Sequence, residues 1–236
     1  MHLFIDAGNT RIKYAAHDGQ RWLFHRVTTG DALALDLPTG VSLRGALAAS
    51  VASPAVNAAL DEQCSQHGVS LDWFRSSSAA CGVRNAYADP SQLGVDRWAA
   101  ALAAWSRVQG PCLVVSAGTA TTIDLIEADA QGGGCFAGGC ILPGFDMMRR
   151  ALAEGTARLP LAEGSWQPKP DRTQDAIYSG CLNAQLGAIE RMRSQLPAGS
   201  AVLLAGGAAP LLRPQISAPV IETPDLVLEG LLRAVG

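Results

Sequence analysis

Long apolar runs are missing from this chain of 236 residues. No uncharged apolar run reaches the ~20 residues that a membrane-spanning helix needs, so no membrane partner is expected. Basic runs are missing too. The formal net charge is −3 and the pI about 5.8, which argues against nucleic acid or an anionic surface as the main partner. A local basic site for one phosphate remains compatible with that balance. Paired metal-ligand spacings are absent. The six cysteines, Cys64, Cys81, Cys112, Cys135, Cys140 and Cys181, include no C-x-x-C pair, and the four histidines are scattered. Neither a disulfide framework nor a zinc site is expected, and the thiols read as reduced and mostly buried. The opening Met-His-Leu-Phe-Ile-Asp has neither a basic nor a long apolar leader segment, so the chain is expected to be cytoplasmic. Two nucleotide signatures are also lacking: no G-x-x-x-x-G-K-[ST] occurs, and Ala205-Gly-Gly-Ala-Ala-Pro210 lacks the spacing of G-x-G-x-x-G.

What is present begins with a repeat. The segment from Leu3 to Tyr14 lies over the segment from Leu113 to Asp124 when shifted by 110 positions. Leu3 and Leu113, Ala7 and Ala117, and Gly8 and Gly118 are identical, and an apolar strand leads into each turn. One such turn is a common hairpin. Two, one early in each half, point to a duplicated fold that holds a polyphosphate. A composition 48% hydrophobic and 17% charged supplies a sizeable core.

Strands and helices alternate along the chain, which predicts α/β architecture. Strands are expected at residues 3–5, 11–14, 21–28, 47–53, 69–74 and 202–207. Ser53 reads as an N-cap, Pro54 as a first helical residue and Gly68 as a stop, predicting a helix over 54–67. An Ala-rich helix follows Arg97. Further helices are expected over 145–154, 173–196 and 226–235. Gly110-Pro111 is the expected boundary between halves 1–110 and 111–236.

The first turn has a chemical logic. Gly8 removes a Cβ so that backbone N–H groups can approach phosphate oxygens, and Asn9 tolerates a left-handed backbone. Thr10 adds a hydroxyl. Asp6 is suited to Mg²⁺ and its waters. Arg11 or Lys13 can offset phosphate charge. A plain hairpin would look the same taken alone. The second turn offers Thr119, Thr121 and Thr122, which would also suit an ordinary Thr-rich strand. Between the turns, Leu93-Gly-Val-Asp-Arg97 puts Asp96 and Arg97 at a helix start. Asp96 can take a hydroxyl proton, and Arg97 can grip a carboxylate or phosphate. The plainer alternative is an acidic first turn with a surface ion pair. Tyr87 can wall a small-molecule pocket or lie in the core. Gly138-Gly-Cys-Ile-Leu-Pro-Gly144 is either a pocket lining or a structural turn.

Taken together, Asp6-Ala-Gly-Asn-Thr10, Tyr87, Leu93-Gly-Val-Asp-Arg97, Ala117-Gly-Thr-Ala-Thr-Thr-Ile-Asp124, Gly138 to Gly144 and Thr173-Gln-Asp-Ala-Ile-Tyr-Ser-Gly180 resemble the type III pantothenate kinase family, which includes Bvg accessory factor-like proteins. The motifs occur in the family's order over nearly the whole chain. The resemblance implies a duplicated, actin-like fold of the ribonuclease-H type (the ASKHA superfamily), with mixed sheets flanked by helices. It implies ATP-dependent phosphorylation of pantothenate to 4′-phosphopantothenate, the first step of coenzyme A biosynthesis, in a homodimer. It implies that Asp6, Ala7, Gly8, Asn9, Thr10, Arg11, Ile12 and Lys13 bind ATP phosphates and Mg²⁺, with Asp6 the metal ligand. Thr119 would contact ATP. Asp96 would be the proton acceptor, and Tyr87, Gly94, Val95, Asp96, Arg97 and Thr173 would bind pantothenate. One position departs from the pattern. Many members carry Asp where this chain has Ser116, and that Asp ligates K⁺ or NH₄⁺. A weak or absent monovalent-cation site is therefore expected. Two alternatives are a related small-molecule kinase or phosphatase of the superfamily and a non-catalytic accessory protein of the same fold.

Overall fold

A computed structural model describes every residue except 31–32, 39–41, 158, 160, 162 and 236. The chain forms two compact units, Met1–Arg107 with Asp225–Gly236, and Val108–Pro224.

In the first unit, β1 (His2–Ala7), β2 (Ile12–His17) and β3 (Trp22–Thr28) form an antiparallel meander. β4 (Gly45–Ser50) pairs in parallel with β1, and β5 (Leu71–Trp73) in parallel with β4. The order is β3-β2-β1-β4-β5. The period of two along β1 feeds two cores. Leu3, Ile5 and Ala7 join Ile12, Tyr14, Leu60 and Cys64. Phe4 joins Ala15, Ala49, Ala99, Leu228 and Leu231.

The helix α1 (Pro54–Gln66) starts as its sequence dictates: Ser53 Oγ accepts the Val56 N–H at 3.4 Å, and proline sits in the first turn. Gly68 takes a left-handed φ of 71° just past its end. β6 (Ala79–Ala80) and β7 (Val83–Asn85) form a small hairpin. Cys81 and Gly82 turn it with φ of 50° and 75°, the paired positive φ of a two-residue hairpin loop. α2 (Val95–Val108) buries Arg97, Trp98 and a run of alanines. The last helix, α6 (Leu226–Val235), belongs to this unit and packs on β1, β2 and β4. It crosses α2 where a Cβ on Gly230 would run into the Ala99 carbonyl. Burial of Leu228 and Leu231 contributes roughly 1.5–3 kcal/mol each to holding it there.

The second unit repeats the plan. β8 (Cys112–Ala117), β9 (Ala120–Ala128) and β10 (Gly134–Pro143) form the antiparallel meander. β11 (Ala201–Ala205) pairs in parallel with β8, and β12 (Val220–Glu222) in parallel with β11. Within the unit the order is β12-β11-β8-β9-β10, the order of the first unit read from its other edge. This is the duplicated actin-like fold. α3 (Phe145–Gly155) and α4 (Thr173–Arg193) lie between β10 and β11 in sequence, and the short α5 (Ala209–Leu212) precedes β12. Ile177, Cys181, Leu182 and Ile189 put one face of α4 into the core against Leu113, Val115, Ile123 and Leu204.

Elements end where hydrogen bonding does. The strand expected over 47–53 runs from Gly45 to Ser50 instead, because its parallel register with β1 stops at the Ala7–Ser50 pair. α4 stops at Arg193, where the Ser194 N–H closes onto the Glu190 carbonyl at 2.9 Å.

Candidate functional site

The first turn closes when the Gly8 N–H bonds the Arg11 carbonyl at 3.1 Å. Asn9, Thr10 and Arg11 are exposed at its tip, while the Ala7 and Ile12 side chains are fully buried. Only the main chain of Ala7 and Ile12 can therefore face a ligand. Asn9 does not use the left-handed conformation expected of it, since Cys81 and Gln109 are the only non-glycine residues with positive φ among those described. Gly8 is tight because a Cβ would lie 3.1 Å from the Arg11 carbonyl oxygen.

At the base of this turn Asp6 faces Lys13 across the ladder. Burial pushes the Asp6 carboxyl up to about 7. Lys13 opposes that rise, and the negative charges of Asp96 and Asp225 add to it. Asp225 is a residue that sequence reasoning missed. Its Oδ1 lies 3.7 Å from Lys13 Nζ and its Oδ2 3.1 Å from His25 Nδ1. Only the return of α6 to the first unit puts it there, and no local motif announces it.

The second turn is shorter. Ala117 pairs with Thr121, whereas Ala7 pairs with Ile12. The 110-residue shift therefore holds through Gly8 and Gly118 and then slips by one. The structural counterpart of the Asp6–Lys13 pair is the Ser116–Thr122 pair. Thr119 is exposed, and its carbonyl accepts the Gly144 N–H at 3.0 Å. The steric demand for glycine lies outside the turn. A Cβ on Gly144 would run into the Gly118 carbonyl, and one on Gly206, at φ 98°, into the Ala117 carbonyl. The expected pocket-lining cluster thus ends in a glycine that braces the turn.

At the N-terminus of α2, Asp96 and Arg97 come together with Tyr87. Asp96 Oδ1 accepts the Arg97 N–H at 2.8 Å, which fixes the carboxylate against the first turn of the helix. Gly94 leaves the space, since its Cβ would stand 2.8 Å from that same Oδ1. Arg97 is only 6% exposed. Its Nη1 donates to the Tyr87 hydroxyl at 3.0 Å, and its Cζ stands 5.8 Å from the ring centroid. The surface ion pair offered as the plainer reading does not fit so buried a guanidinium. Val95 is the first residue of the helix and half-buried. Upstream, Asp89 caps a 3₁₀ turn over Pro90–Gln92 and accepts the Ser91 N–H at 3.0 Å. Asn85, a second residue that motif reading passed over, lies buried beneath this loop.

Thr173 belongs to the second unit as the exposed first residue of α4, with Arg172 in the N-cap position. The chain before it folds back along the helix, where Asp175 Oδ1 accepts the Ser165 N–H at 2.8 Å. A polar hollow of about 590 Å³ there is lined by residues that include Gln167, Lys169, Arg172, Gln174 and Asp175.

Among the described residues, no group of three or more His, Cys, Asp or Glu side chains could hold a metal ion by itself. A single half-buried carboxylate such as Asp6 still fits Mg²⁺, which usually keeps several waters and takes its remaining oxygens from substrate phosphates. No helix among the described residues is long and apolar enough to cross a membrane.

The scaffold is the duplicated actin-like fold, with a glycine turn in each unit. Comparison with known proteins narrows it. The family model for type III pantothenate kinase matches residues 2–195. A type III pantothenate kinase from Aromatoleum aromaticum is 45% identical over 98% of this chain and 96% of its own length. Another from Azoarcus is 44% identical over 98% and 89%. Among solved structures, a Baf family protein from Campylobacter jejuni superposes with a TM-score of 0.66 at 20% identity, covering 99% of this chain and 96% of that one. The ethanolamine utilization protein EutJ from Carboxydothermus hydrogenoformans gives 0.55 at 13% identity, covering 98% and 89%. The chain belongs to the type III pantothenate kinase family.

Proposed function

We propose that this protein transfers the γ-phosphoryl group of ATP to the primary hydroxyl of pantothenate, forming 4′-phosphopantothenate and ADP at the first step of coenzyme A biosynthesis. The observation that carries this reading is the meeting of Asp96, buried Arg97 and Tyr87 at one helix start in a chain whose family match covers residues 2–195.

The hydroxyl oxygen attacks the γ-phosphorus, the bond to the bridging oxygen breaks, and ADP leaves. Asp96 takes the hydroxyl proton. Its Oδ1 is engaged by the Arg97 N–H, so Oδ2 is the receiving atom. The Arg97 guanidinium holds the pantothenate carboxylate, with one nitrogen fixed by Tyr87. Gly94 and Val95 bring the backbone close to the acceptor, and Thr173 is a further acceptor contact. Residues 6–13 hold the nucleotide phosphates, Gly8 to Arg11 through the exposed turn and Lys13 through its charge. Thr119 is a nucleotide contact. Mg²⁺, held by Asp6 with the nucleotide, would offset charge on the β- and γ-phosphates as the bridging bond breaks. With Ser116 in place of a carboxylate, the protein has no strong K⁺ or NH₄⁺ site. It works as a homodimer.

The decisive experiment measures ADP release from purified protein with ATP and Mg²⁺ against pantothenate, hexoses, N-acetylhexosamines and no acceptor. Release that requires pantothenate, with a phosphorylated product of the right mass, supports the reading. Release with a sugar instead identifies a different kinase of the fold, and no release with any acceptor leaves the accessory protein. Light scattering at twice the chain mass is the result expected for the dimer.

A further inference from the structure

We propose that Asn85 is a positioning residue for acceptor recognition, acting through Tyr87 on Arg97. This inference rests on the kinase reading of the site and concerns which residue shapes its selectivity.

Asn85 is the last residue of β7 and is 6% exposed. Its side chain uses all its polar atoms locally. Nδ2 donates to the Ser77 carbonyl at 3.2 Å and to the Pro90 carbonyl at 3.3 Å. Oδ1 accepts the Tyr87 N–H at 3.1 Å. Two carbonyls demand a donor and one N–H demands an acceptor, so these partners fix the amide's orientation. The Asn85 main-chain N–H adds a bond to the Ser78 carbonyl at 2.9 Å. Ser76 Oγ ties the same stretch to the Leu93 carbonyl at 2.8 Å, one residue before Gly94. The loop from Ser77 to Pro90 is therefore closed around one amide, and Tyr87 is the residue it aims.

Tyr87 in turn holds the Arg97 guanidinium by hydroxyl and ring face. A planar guanidinium grips a carboxylate well only in one plane. Any shift of Tyr87 rotates that plane and weakens the grip on the acceptor, while the nucleotide residues at the first turn keep their own support in the β1–β2 ladder. A buried Asn that served stability alone would affect both substrates alike.

The test uses Asn85→Asp, which keeps an acceptor for the Tyr87 N–H and loses both donors, together with Tyr87→Phe and the double variant. Melting temperatures are recorded for each. For Asn85→Asp, KM for pantothenate should rise about tenfold or more. KM for ATP and kcat should stay within about threefold of wild type. In the Tyr87→Phe background the same change should add less than about twofold, because both act on one contact. A joint rise of both KM values, or additive effects in the double variant, would overturn the proposal. If Asn85→Asp fails to fold, Asn85→Ser, which likewise loses both amide donors, is read against the same two KM values. A raised pantothenate KM at unchanged ATP KM sustains the relay, and an unchanged pantothenate KM breaks it. Wild-type protein that does not turn over pantothenate sinks the kinase reading itself, which these KM patterns cannot do.

Discussion

The two glycine turns share a scaffold and differ in both charge and bracing. In the first unit, Asp6 and Lys13 face each other at the base of the turn; in the second, Ser116 and Thr122 occupy the equivalent rungs. Each turn is also tied to its neighbouring parallel strand by one hydrogen bond. The Ala7 carbonyl accepts the Val51 N–H at 3.0 Å, directly after β4. The Ala117 carbonyl accepts the Ala208 N–H at 3.0 Å, but only after the chain has passed through a left-handed Gly206. Duplication kept the ladder. It left the charged, metal-suited chemistry in one copy and a neutral, glycine-braced cradle in the other. The lesson is that backbone geometry and electrostatics diverge independently once a fold is doubled.

The largest expected effect tests where the chemistry resides. Asp96→Asn keeps the shape and the acceptor for the Arg97 N–H but removes the proton acceptor. Turnover should fall about 10²–10⁴-fold with nucleotide binding retained, and near wild-type turnover in a coupled ADP assay would move the base elsewhere. Next comes bracing. Gly206→Ala forces a side chain into the Ala117 carbonyl at positive φ and should destabilise by about 2–3 kcal/mol. Gly8→Ala meets only the Arg11 carbonyl at 3.1 Å and should cost about 1 kcal/mol. Urea melts that rank the two the other way would refute the difference in bracing.

The third prediction concerns the charged base alone. In the folded protein Asp6 is raised from its ordinary 3.8 to about 7, chiefly by burial. The folded state therefore binds the extra proton between those values, and its stability falls as pH rises through that window. Asp6→Asn in metal-free, nucleotide-free buffer should be more stable than wild type at pH 8, by roughly 1–3 kcal/mol after allowance for partial solvent screening. That gap should close toward pH 4. A gap independent of pH would place the carboxylate in a better-solvated setting. The smallest effect is at Ser116. Rates with K⁺, NH₄⁺ and Na⁺ at fixed ionic strength should agree within about twofold, since a neutral hydroxyl binds these ions weakly. Strong activation by K⁺ would show that the neutral turn holds a cation after all.

Much of the fold was legible because its signals are local. Ser53-Pro54 announced α1, alanines after Arg97 announced α2, and identical residues at Gly8 and Gly118 announced the doubling. The acceptor cluster was legible in part: Asp96 and Arg97 are neighbours in sequence, and Gly94 lies where Oδ1 needs room. Other features were not. The one-residue slip after Gly118 is set by turn length, which identity at the preceding positions does not encode. Gly118 drew attention as the turn glycine, yet the crowded positions are Gly144 and Gly206, which reach the turn from elsewhere in the chain.

By itself the sequence determined the alternation of strands and helices, the repeated turns and the family, because each depends on residues a few positions apart. Only the tertiary structure decided that α6 returns to the first unit, bringing Asp225 to Lys13 and His25. It also decided that Asn85 stands behind Tyr87 and Arg97. The physical reason is common to both. Burial and charge depend on what lies within a few ångströms in space, and chain separation places no limit on that.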